Sequence, residues 1–217
     1  MTKNKLSKYK QKKIIHCFSN ELTATQTAKL LGINRNTINR YYTQFRHRIV
    51  AHQQEENKLL FGEIELDESY FGGHHNGAVG RSVKSKIPVF GILKRQGKVY
   101  TQIVPDVSKK TLQTIIKQRV KQGSVLYSDS WKSYDGLVIN GYHHYRINHT
   151  THFVLNKKNH INGIESFWSY MKNKLAKFYG IRSQDFYLYL KEYECRFNHR
   201  NENIYIFFLQ LFLQKSR

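Results

Sequence analysis

Three acidic residues and one lysine have the types and positions needed for chemistry on phosphate. Asp67 lies near the end of a strand-like segment, Asp129 ends a short apolar run, and Glu165 follows with 35 residues between. Carboxylate oxygens are the ligands that Mg²⁺ prefers, and two such ions about 4 Å apart assist the attacking and leaving oxygens of an in-line displacement. Lys172, two helical turns after Glu165, would hold a phosphate. These residues predict metal-dependent phosphoryl transfer if the fold brings them together.

The same acids have interpretations that involve no chemistry. An apolar stripe at helical spacing runs past Glu165: Ile164, Phe167, Met171 and Leu175. Glu165 and Lys172 would border this stripe, and a solvated helix edge explains both equally well. Glu63 and Glu65 fit the exposed edge of a hairpin, although an acid on the inner face of a strand requires a metal or a cation.

A mixed sheet is the element that must position the acids. Strand-like patterns begin at Gly62 and continue through three further segments with a helix among them: Val89–Leu93, Val99–Val104, the Ser108-capped helix Lys109–Val120, and Ser124–Ser128. Tyr142–Asn148 suits a fifth strand, and Ser183 is a candidate cap for a helix from Gln184 to Arg200. The apolar segment Ile204–Leu213 is expected to pack on the sheet or to face a second subunit.

The charge of the chain points to a polyanionic partner. The 217 residues include 36 Lys and Arg against 15 Asp and Glu, for a net charge of +21. Residues 1–50 hold 11 of these basic residues and one acid, Glu21. A compact protein tolerates such self-repulsion best beside nucleic acid, so residues 1–50 are expected to form a separate DNA-binding module.

The pattern within residues 1–50 is typical of a helix-turn-helix. A helix from Lys5 to Ser19 precedes a Thr23-capped helix, and Gly32 supplies the turn before an Asn34-capped helix that runs into the fifties. The predicted small core is Ala28, Leu31, Ile33 and Ile38. The predicted contacts to base edges and phosphates are Arg35, Asn36, Asn39 and Arg40. A three-helix bundle without a ligand is the alternative.

Two further segments suggest contacts to DNA. The Gly-rich loop 72–86 carries Arg81, Lys84 and Lys86 but lacks the order of a nucleotide-binding P-loop, so we expect it to touch the phosphate backbone. Trp131 and Tyr134 follow Asp129 and either belong to the core or stack on an unpaired base.

Cysteine and histidine usage gives little support for a transition-metal site. Cys17 and Cys195 lie far apart and form no C-x-x-C pair, which argues against a disulfide framework and a cysteine zinc finger and favours a reducing cytosol. Five histidines cluster along residues 143–160 without a familiar ligand spacing: His143, His144, His149, His152 and His160. The N-terminus lacks the apolar core of a signal peptide, and the longest apolar run is too short to span a bilayer.

Four motifs in a fixed order closely resemble a known family. They are Glu65–Gly73, Pro88–Arg95, Tyr127–Trp131, and Asn159–Glu165 followed by Phe167-Trp168. The family is that of the compact bacterial insertion-sequence transposases with a ribonuclease-H-like DDE domain of the ISXO-like type. The resemblance covers nearly the whole chain.

The resemblance implies a role for each of the acids. Asp67, Asp129 and Glu165 would be the metal-binding catalytic triad for Mg²⁺, with Mn²⁺ as a substitute, and Lys172 the accompanying basic residue. Some relatives use Asn at the third position, so Asn162, one turn earlier on the same side, is the reserve ligand. The implied reaction is strand transfer by a free 3′-hydroxyl after hydrolytic nicking at the element ends. Many members carry an N-terminal cysteine zinc ribbon, whereas this chain would rely on the helix-turn-helix alone.

The sequence therefore predicts an α/β protein with a ribonuclease-H-like mixed sheet flanked by helices and an N-terminal all-α helix-turn-helix domain. The predicted divisions are residues 1–50 for DNA binding, a linker at 51–61, and a catalytic domain at 62–217. We expect a cytoplasmic transposase, nucleoid-associated when on DNA, with no membrane partner. Its partners would be double-stranded terminal inverted repeats and target DNA, bound as a homo-oligomer. The alternatives are a ribonuclease-H-like nuclease that does not join DNA and a non-enzymatic helix-turn-helix regulator.

Overall fold

The protein is described by a computed structural model that covers residues 6–56, 58–72, 86–129, 141–147, 161–178 and 180–213. Seven helices and five strands are found in these ranges. In chain order they are α1 (Lys8–Ser19), α2 (Ala24–Leu31), α3 (Arg35–Glu55), β1 (Glu63–Phe71), β2 (Ile87–Lys94), β3 (Val99–Ile103), α4 (Lys109–Arg119), β4 (Val125–Asp129), β5 (His143–Ile147), α5 (Asn162–Ala176), α6 (Ser183–Asn198) and α7 (Ile204–Leu213). None of the helices in the described ranges is both long and apolar enough to cross a membrane.

The chain forms two compact units whose boundaries differ from the predicted domains. The helical unit combines Met1–Asn57 with Ser183–Arg217, and the sheet unit is Lys58–Arg182. α3 continues to Glu55, so residues 51–55 of the predicted linker 51–61 are helical. The predicted domain 62–217 is therefore divided, because its last 35 residues cluster with the N-terminal segment instead of the sheet.

The sheet unit has a mixed five-stranded sheet in the order β3-β2-β1-β4-β5. β1, β2 and β3 are antiparallel neighbours, whereas β4 runs parallel to β1 and β5 parallel to β4. This confirms the predicted mixed α/β sheet with helices. β1 extends through Phe71, so the prediction that Asp67 lies at the end of its strand is wrong. Asp67 is a mid-strand residue because β2 continues to pair with β1 beyond it.

Alternation along β1 gives the sheet two different faces. Ile64 and Leu66 are fully buried in a core that also contains residues of α4, including Leu112 and Ile116. Residues at odd positions of β1 point the other way, because successive side chains of a strand alternate. α5 packs against β1 and β2 on that second face. The helix and the strand approach closely there, because a Cβ atom added to Gly91 would lie only 2.5 Å from Cζ2 of Trp168.

Local capping explains where the first helices begin and end. Thr23 and Gln26 form a reciprocal capping box at the start of α2, and Asn34 accepts a hydrogen bond from the backbone N–H of Asn36 at the start of α3. Gly32 ends α2 with a φ of 61°, a left-handed conformation that glycine adopts without a steric penalty. The predicted caps at Thr23 and Asn34 and the predicted turn at Gly32 are thus confirmed.

The helical unit has its own aromatic core, in which α7 is a central element. Phe208 and Phe212 of α7 are buried with Phe18 and Phe45, and the rings of Phe45 and Phe212 stack at 4.3 Å. The prediction that Ile204–Leu213 packs on the sheet is therefore wrong. Its apolar side chains pack against α1 and α3, whose aromatic residues belong to the same buried cluster.

A buried ion network joins α6 to the first helices. Glu192 accepts hydrogen bonds from Arg46 at 2.7 Å and from Arg196 at 2.9 Å, and Arg196 also donates to the carbonyl of Phe18. Burial alone would raise the pKa of Glu192, but the two guanidinium groups lower it below its ordinary value. Glu192 is thereby kept ionised in the interior of the helical unit.

Candidate active site

Asp67 and Asp129 belong to neighbouring parallel strands at equivalent positions. The register of β1 and β4 places Glu65 opposite Tyr127, and each of the two acids comes two residues later on its strand. A step of two residues returns a side chain to the same face of a sheet. The two acids are therefore side by side where β4 ends, on the face that α5 covers.

The first turn of α5 brings Glu165 to the same region. Glu165 lies one turn before Trp168 on the helix, and Trp168 packs against Gly91. Gly91 is the residue of β2 that pairs with Asp67. The close approach of Trp168 to Gly91 thus fixes the beginning of α5 at the level of Asp67.

The electrostatics of Asp67 reflect this arrangement. Burial, together with the charges of Asp129 and Glu165, raises its pKa to about 6, against an ordinary value of 3.8. The backbone N–H of Glu68 opposes the rise, as does the indole N–H of Trp168. Among the described residues that indole has no hydrogen-bond partner of standard geometry, so it lies near the carboxyl group without a full bond to it. Asp129 and Glu165 are therefore both within electrostatic reach of Asp67.

The ligand atoms of the three acids do not all lie within 4.8 Å of one another. Among the described residues, a group of potential metal ligands with atoms this close together is found at another place, at His52, Glu56 and His199. Mutual repulsion favours a wider separation of ionised carboxylates. The oxygen-only donor set still suits a hard divalent cation such as Mg²⁺, which would relieve that repulsion.

A second acid of β1, Glu65, supports the helix that carries Glu165. Its buried side chain accepts a hydrogen bond from the backbone N–H of Ile164 at 2.8 Å and one from Nε of Arg95 at 2.9 Å. The guanidinium of Arg95 stacks over the ring of Tyr127 at 3.7 Å. Glu65 therefore satisfies one of the free N–H groups at the start of α5, where the helix dipole also favours a negative charge.

This role of Glu65 corrects one interpretation of the sequence. Glu63 is exposed, as a hairpin edge would require, but Glu65 is buried on the central strand of the sheet. The signal that could have identified Glu65 as a buried acid is its position two residues before Asp67, because residues two apart on a strand lie on the same face. The cation that a buried acid requires is Arg95, which follows directly after β2, the strand paired with β1.

Lys172 and Asn162 both lie on α5. The Lys172 side chain is exposed, with Nζ 5.9 Å from the ring centroid of Phe71, the last residue of β1. Asn162 is exposed at the first position of the helix. The charge of Glu165 contributes to the raised pKa of Asp67.

The residues predicted to contact DNA are partly described. Four exposed residues occupy one side of the first turns of α3: Arg35, Asn36, Asn39 and Arg40. Lys86 is exposed just before β2, whereas Arg81 and Lys84 lie outside the described residues. Nothing in the structure tests whether any of these contacts DNA, so these assignments stay predictions.

The histidine-rich zone is only partly described. His144 on β5 shares a hydrogen bond of 2.8 Å with the hydroxyl of Ser128, next to Asp129. His143 is exposed on the same strand. The remaining three histidines lie outside the described residues, and so do Trp131 and Tyr134.

Comparison with known proteins gives one family and one close relative. The sequence model of a family described as the ISXO2-like transposase domain matches residues 59–198. A protein of Haemophilus influenzae, described as an uncharacterized transposase-like protein, is 52% identical over 101 residues. That alignment covers 46% of this chain and 81% of the relative.

Two solved structures of the Mos1 transposase are similar at a lower level. The paired-end complex with the left transposon end has a TM-score of 0.38 and 10% identity, and covers 97% of this chain and 80% of that one. A pre-cleavage Mos1 transpososome has a TM-score of 0.38 and 11% identity, with coverage of 100% and 83%.

Proposed function

The chain belongs to the ISXO2-like transposase family, and on that basis we propose that it is a DDE transposase of a bacterial insertion sequence. It would cleave DNA at the element ends and join the freed 3′-hydroxyl to target DNA. The observation that carries this proposal is the pKa of Asp67, which the charges of Asp129 and Glu165 help to raise to about 6. An acid whose pKa responds to the charges of two others supports a shared catalytic site on a ribonuclease-H-like sheet.

Asp67, Asp129 and Glu165 are the residues that would hold the divalent metal. Mg²⁺, with Mn²⁺ as a substitute, would supply activation of the attacking oxygen and stabilisation of the leaving oxygen in an in-line displacement. The acid–acid repulsion at Asp67 fits this donor set, because a cation among the carboxylates would favour their ionised forms. Asn162 remains the reserve for the third position.

Other residues of the chain would position the reacting groups. Glu65 and Arg95 hold the first turn of α5 against β1, and so they would set the place of Glu165. Lys172 extends from the same helix toward the end of β1 and would bind a DNA phosphate. Phe71 and Trp168, which meet edge to face at 6.0 Å, would form an apolar wall beside the acids that limits access of water.

The helical unit would provide DNA recognition. The exposed side of α3 presents two arginines and two asparagines, which are the side chains that pair with guanine and adenine in the major groove. With 11 of the 36 basic residues in residues 1–50, this module would also bind phosphates without regard to sequence. We propose that it recognises the terminal inverted repeats and that the protein assembles as a homo-oligomer on DNA.

A joining assay tests the proposed activity. The untagged protein is incubated with Mg²⁺, a target plasmid and a duplex that ends in the repeat flanking its reading frame. A transposase yields products in which the 3′ end of the duplex is covalently joined to the plasmid. Cleaved but unjoined duplex would instead identify a nuclease, and sequence-specific binding without any cleavage would identify a regulator.

Matched variants assign the residues in the same assay. We expect Asp129→Asn and Glu165→Gln to abolish joining while leaving binding of the repeat unchanged, since neither residue belongs to α3. Asn162→Ala should retain joining, because a charged carboxylate at Glu165 is the better ligand for a hard divalent cation. Activity that survives Glu165→Gln and is lost with Asn162→Ala would transfer the third-ligand role to Asn162.

A further inference from the structure

A group of potential metal ligands in the helical unit is separate from the proposed catalytic acids. His52, Glu56 and His199 each offer one ligand atom, and these atoms all lie within 4.8 Å of one another. His52 and Glu56 are four residues apart at the end of α3 and share one side of the helix. His199 follows the last residue of α6. The three residues thus bring together the carboxyl-terminal ends of two helices that pack within one unit.

The ring of His199 is already held in a fixed orientation. Its Nδ1 is 3.0 Å from a carboxylate oxygen of Glu202, and its ring stacks on Phe207 with centroids 3.9 Å apart. A histidine whose one nitrogen is bound by a carboxylate is the usual arrangement around protein-bound metals, because the partner fixes the tautomer and aims the other nitrogen. Nε2 of His199 is the nitrogen that this arrangement leaves for a metal.

His52 supplies a second, independent observation. Its Nε2 atom is buried and has no hydrogen-bond partner among the described residues. The nearest oxygen of Glu56 is 3.9 Å away, beyond hydrogen-bond distance. Two ligands of a tetrahedral Zn²⁺, each about 2.1 Å from the ion, are about 3.4 Å apart. The separation of these two atoms is therefore too long for a hydrogen bond and close to that of two ligands of one metal ion.

We propose that His52, Glu56 and His199 bind one divalent transition-metal ion, with Zn²⁺ as the best fit. Two imidazole nitrogens and one carboxylate suit Zn²⁺, whereas Mg²⁺ and Ca²⁺ require oxygen ligands. Water would fill the fourth position. The ion would clamp the end of α3 to the end of α6, and it would leave the proposed catalytic acids of the sheet unit unchanged.

Metal binding by the full-length, untagged protein tests this proposal. After chelation and buffer exchange, the protein is saturated with Mg²⁺ and titrated with Zn²⁺ by calorimetry, and then with Co²⁺ as a spectroscopic probe. We expect one tight equivalent of Zn²⁺ and visible d–d bands of tetrahedral Co²⁺ at the same stoichiometry. Absence of both in the unmodified protein would overturn the proposal and leave the three residues as ordinary ion-pair partners.

Variants locate the site. His52→Gln and His199→Gln are each expected to weaken binding of Zn²⁺ at least tenfold and to remove the Co²⁺ bands. His47→Gln changes an exposed histidine of the same helix and should leave binding unchanged. Asp67→Asn should also leave it unchanged, because Asp67 belongs to the other unit. Tight binding that persists in both His52→Gln and His199→Gln would place the metal elsewhere, whatever the outcome of the joining assay.

Discussion

Two acids of β1 that share one face have opposite environments. Glu65 is buried but faces a guanidinium and a backbone N–H, so its charge is compensated. Asp67, two residues later, faces the carboxylates of Asp129 and Glu165, and its pKa rises to about 6. A structural acid and a candidate metal ligand are thus distinguished by the sign of the charge that the fold places beside each one.

The raised pKa of Asp67 makes stability depend on pH. Between about pH 4 and pH 6 the folded protein retains a proton that the unfolded chain releases, so the free energy of unfolding falls as pH rises through this window. Asp67→Asn removes the charge, and we expect it to raise the free energy of unfolding at pH 8 by on the order of 2 kcal/mol. At pH 3.5 the variant and the parent protein should be nearly equal. Urea unfolding in the presence of a chelator measures both, and an equal gain at the two pH values would contradict the assignment.

Removing Arg95 should leave a buried charge without its partner. We expect Arg95→Met to lower the free energy of unfolding of the sheet unit by about 3 kcal/mol, because the Glu65 carboxyl group would remain buried without its cationic partner. Glu65→Gln combined with Arg95→Met should recover part of this loss, since neither charge is then present. Lys94→Met, a change at the exposed neighbouring residue, is the control in the same urea unfolding measurements. A double variant no more stable than Arg95→Met would argue against the pairing.

At the scale of elements, α5 is held by contacts that come from other parts of the chain. Its N-cap residue, Ile161, makes no side-chain capping bond, and Glu65 of β1 provides the acceptor instead. Small residues allow the close approach. A Cβ on Gly163 would lie 2.8 Å from the Glu65 carboxylate, and one on Gly91 would lie 2.5 Å from Trp168. The position of Glu165 is therefore a property of the packed helix and sheet.

Gly91→Ala tests whether this packing positions α5. The added methyl group would overlap the Trp168 ring, and overpacking of this kind costs about 1–3 kcal/mol. We expect lower stability and slower DNA joining, because α5 must shift away from Asp67. Combining Gly91→Ala with Trp168→Phe, a smaller ring, should restore stability in thermal unfolding. Gly97→Ala is a suitable control, since its new methyl group would meet only the flexible side chain of Lys94.

At the scale of the whole molecule, the helical unit is built from both ends of the described chain. α6 and α7 complete the core of α1, α2 and α3, and the ion network of Arg46, Glu192 and Arg196 fixes α6 among them. The residues proposed to recognise DNA thus depend for their support on residues that come after α5 in the chain. An assay that deletes residues 1–50 would expose the aromatic face of α7 as well as remove DNA contacts.

Truncation after residue 182 should therefore disrupt the N-terminal helices. Without Phe208 and Phe212 the aromatic core of the helical unit loses buried side chains that pack against Phe18 and Phe45. We expect the amides of α1 and α3 to lose protection from hydrogen exchange by at least a hundredfold, while those of β1 and β2 keep theirs. A chain that ends at residue 213 should retain protection in both units. Unchanged protection of α3 in the shorter chain would show that the N-terminal segment folds without α6 and α7.

The sequence by itself determined the features that depend on near neighbours. The caps at Thr23, Asn34 and Ser108 each bond to a backbone group two or three residues away, so their local spacing is enough to predict them. Alternation along β1 likewise predicted the strand, and the resemblance of four motifs identified Asp67, Asp129 and Glu165 as candidates.

Only the tertiary structure decided how distant groups are paired. Glu65 accepts a hydrogen bond from Ile164, 99 residues later, and Arg46 pairs with Glu192, 146 residues later. No periodicity predicts which cation will compensate a buried acid, because several arginines are compatible with the pattern and packing selects one. For the same reason Ile204–Leu213 was assigned to the wrong core: an apolar helix packs against whichever apolar face the fold leaves uncovered.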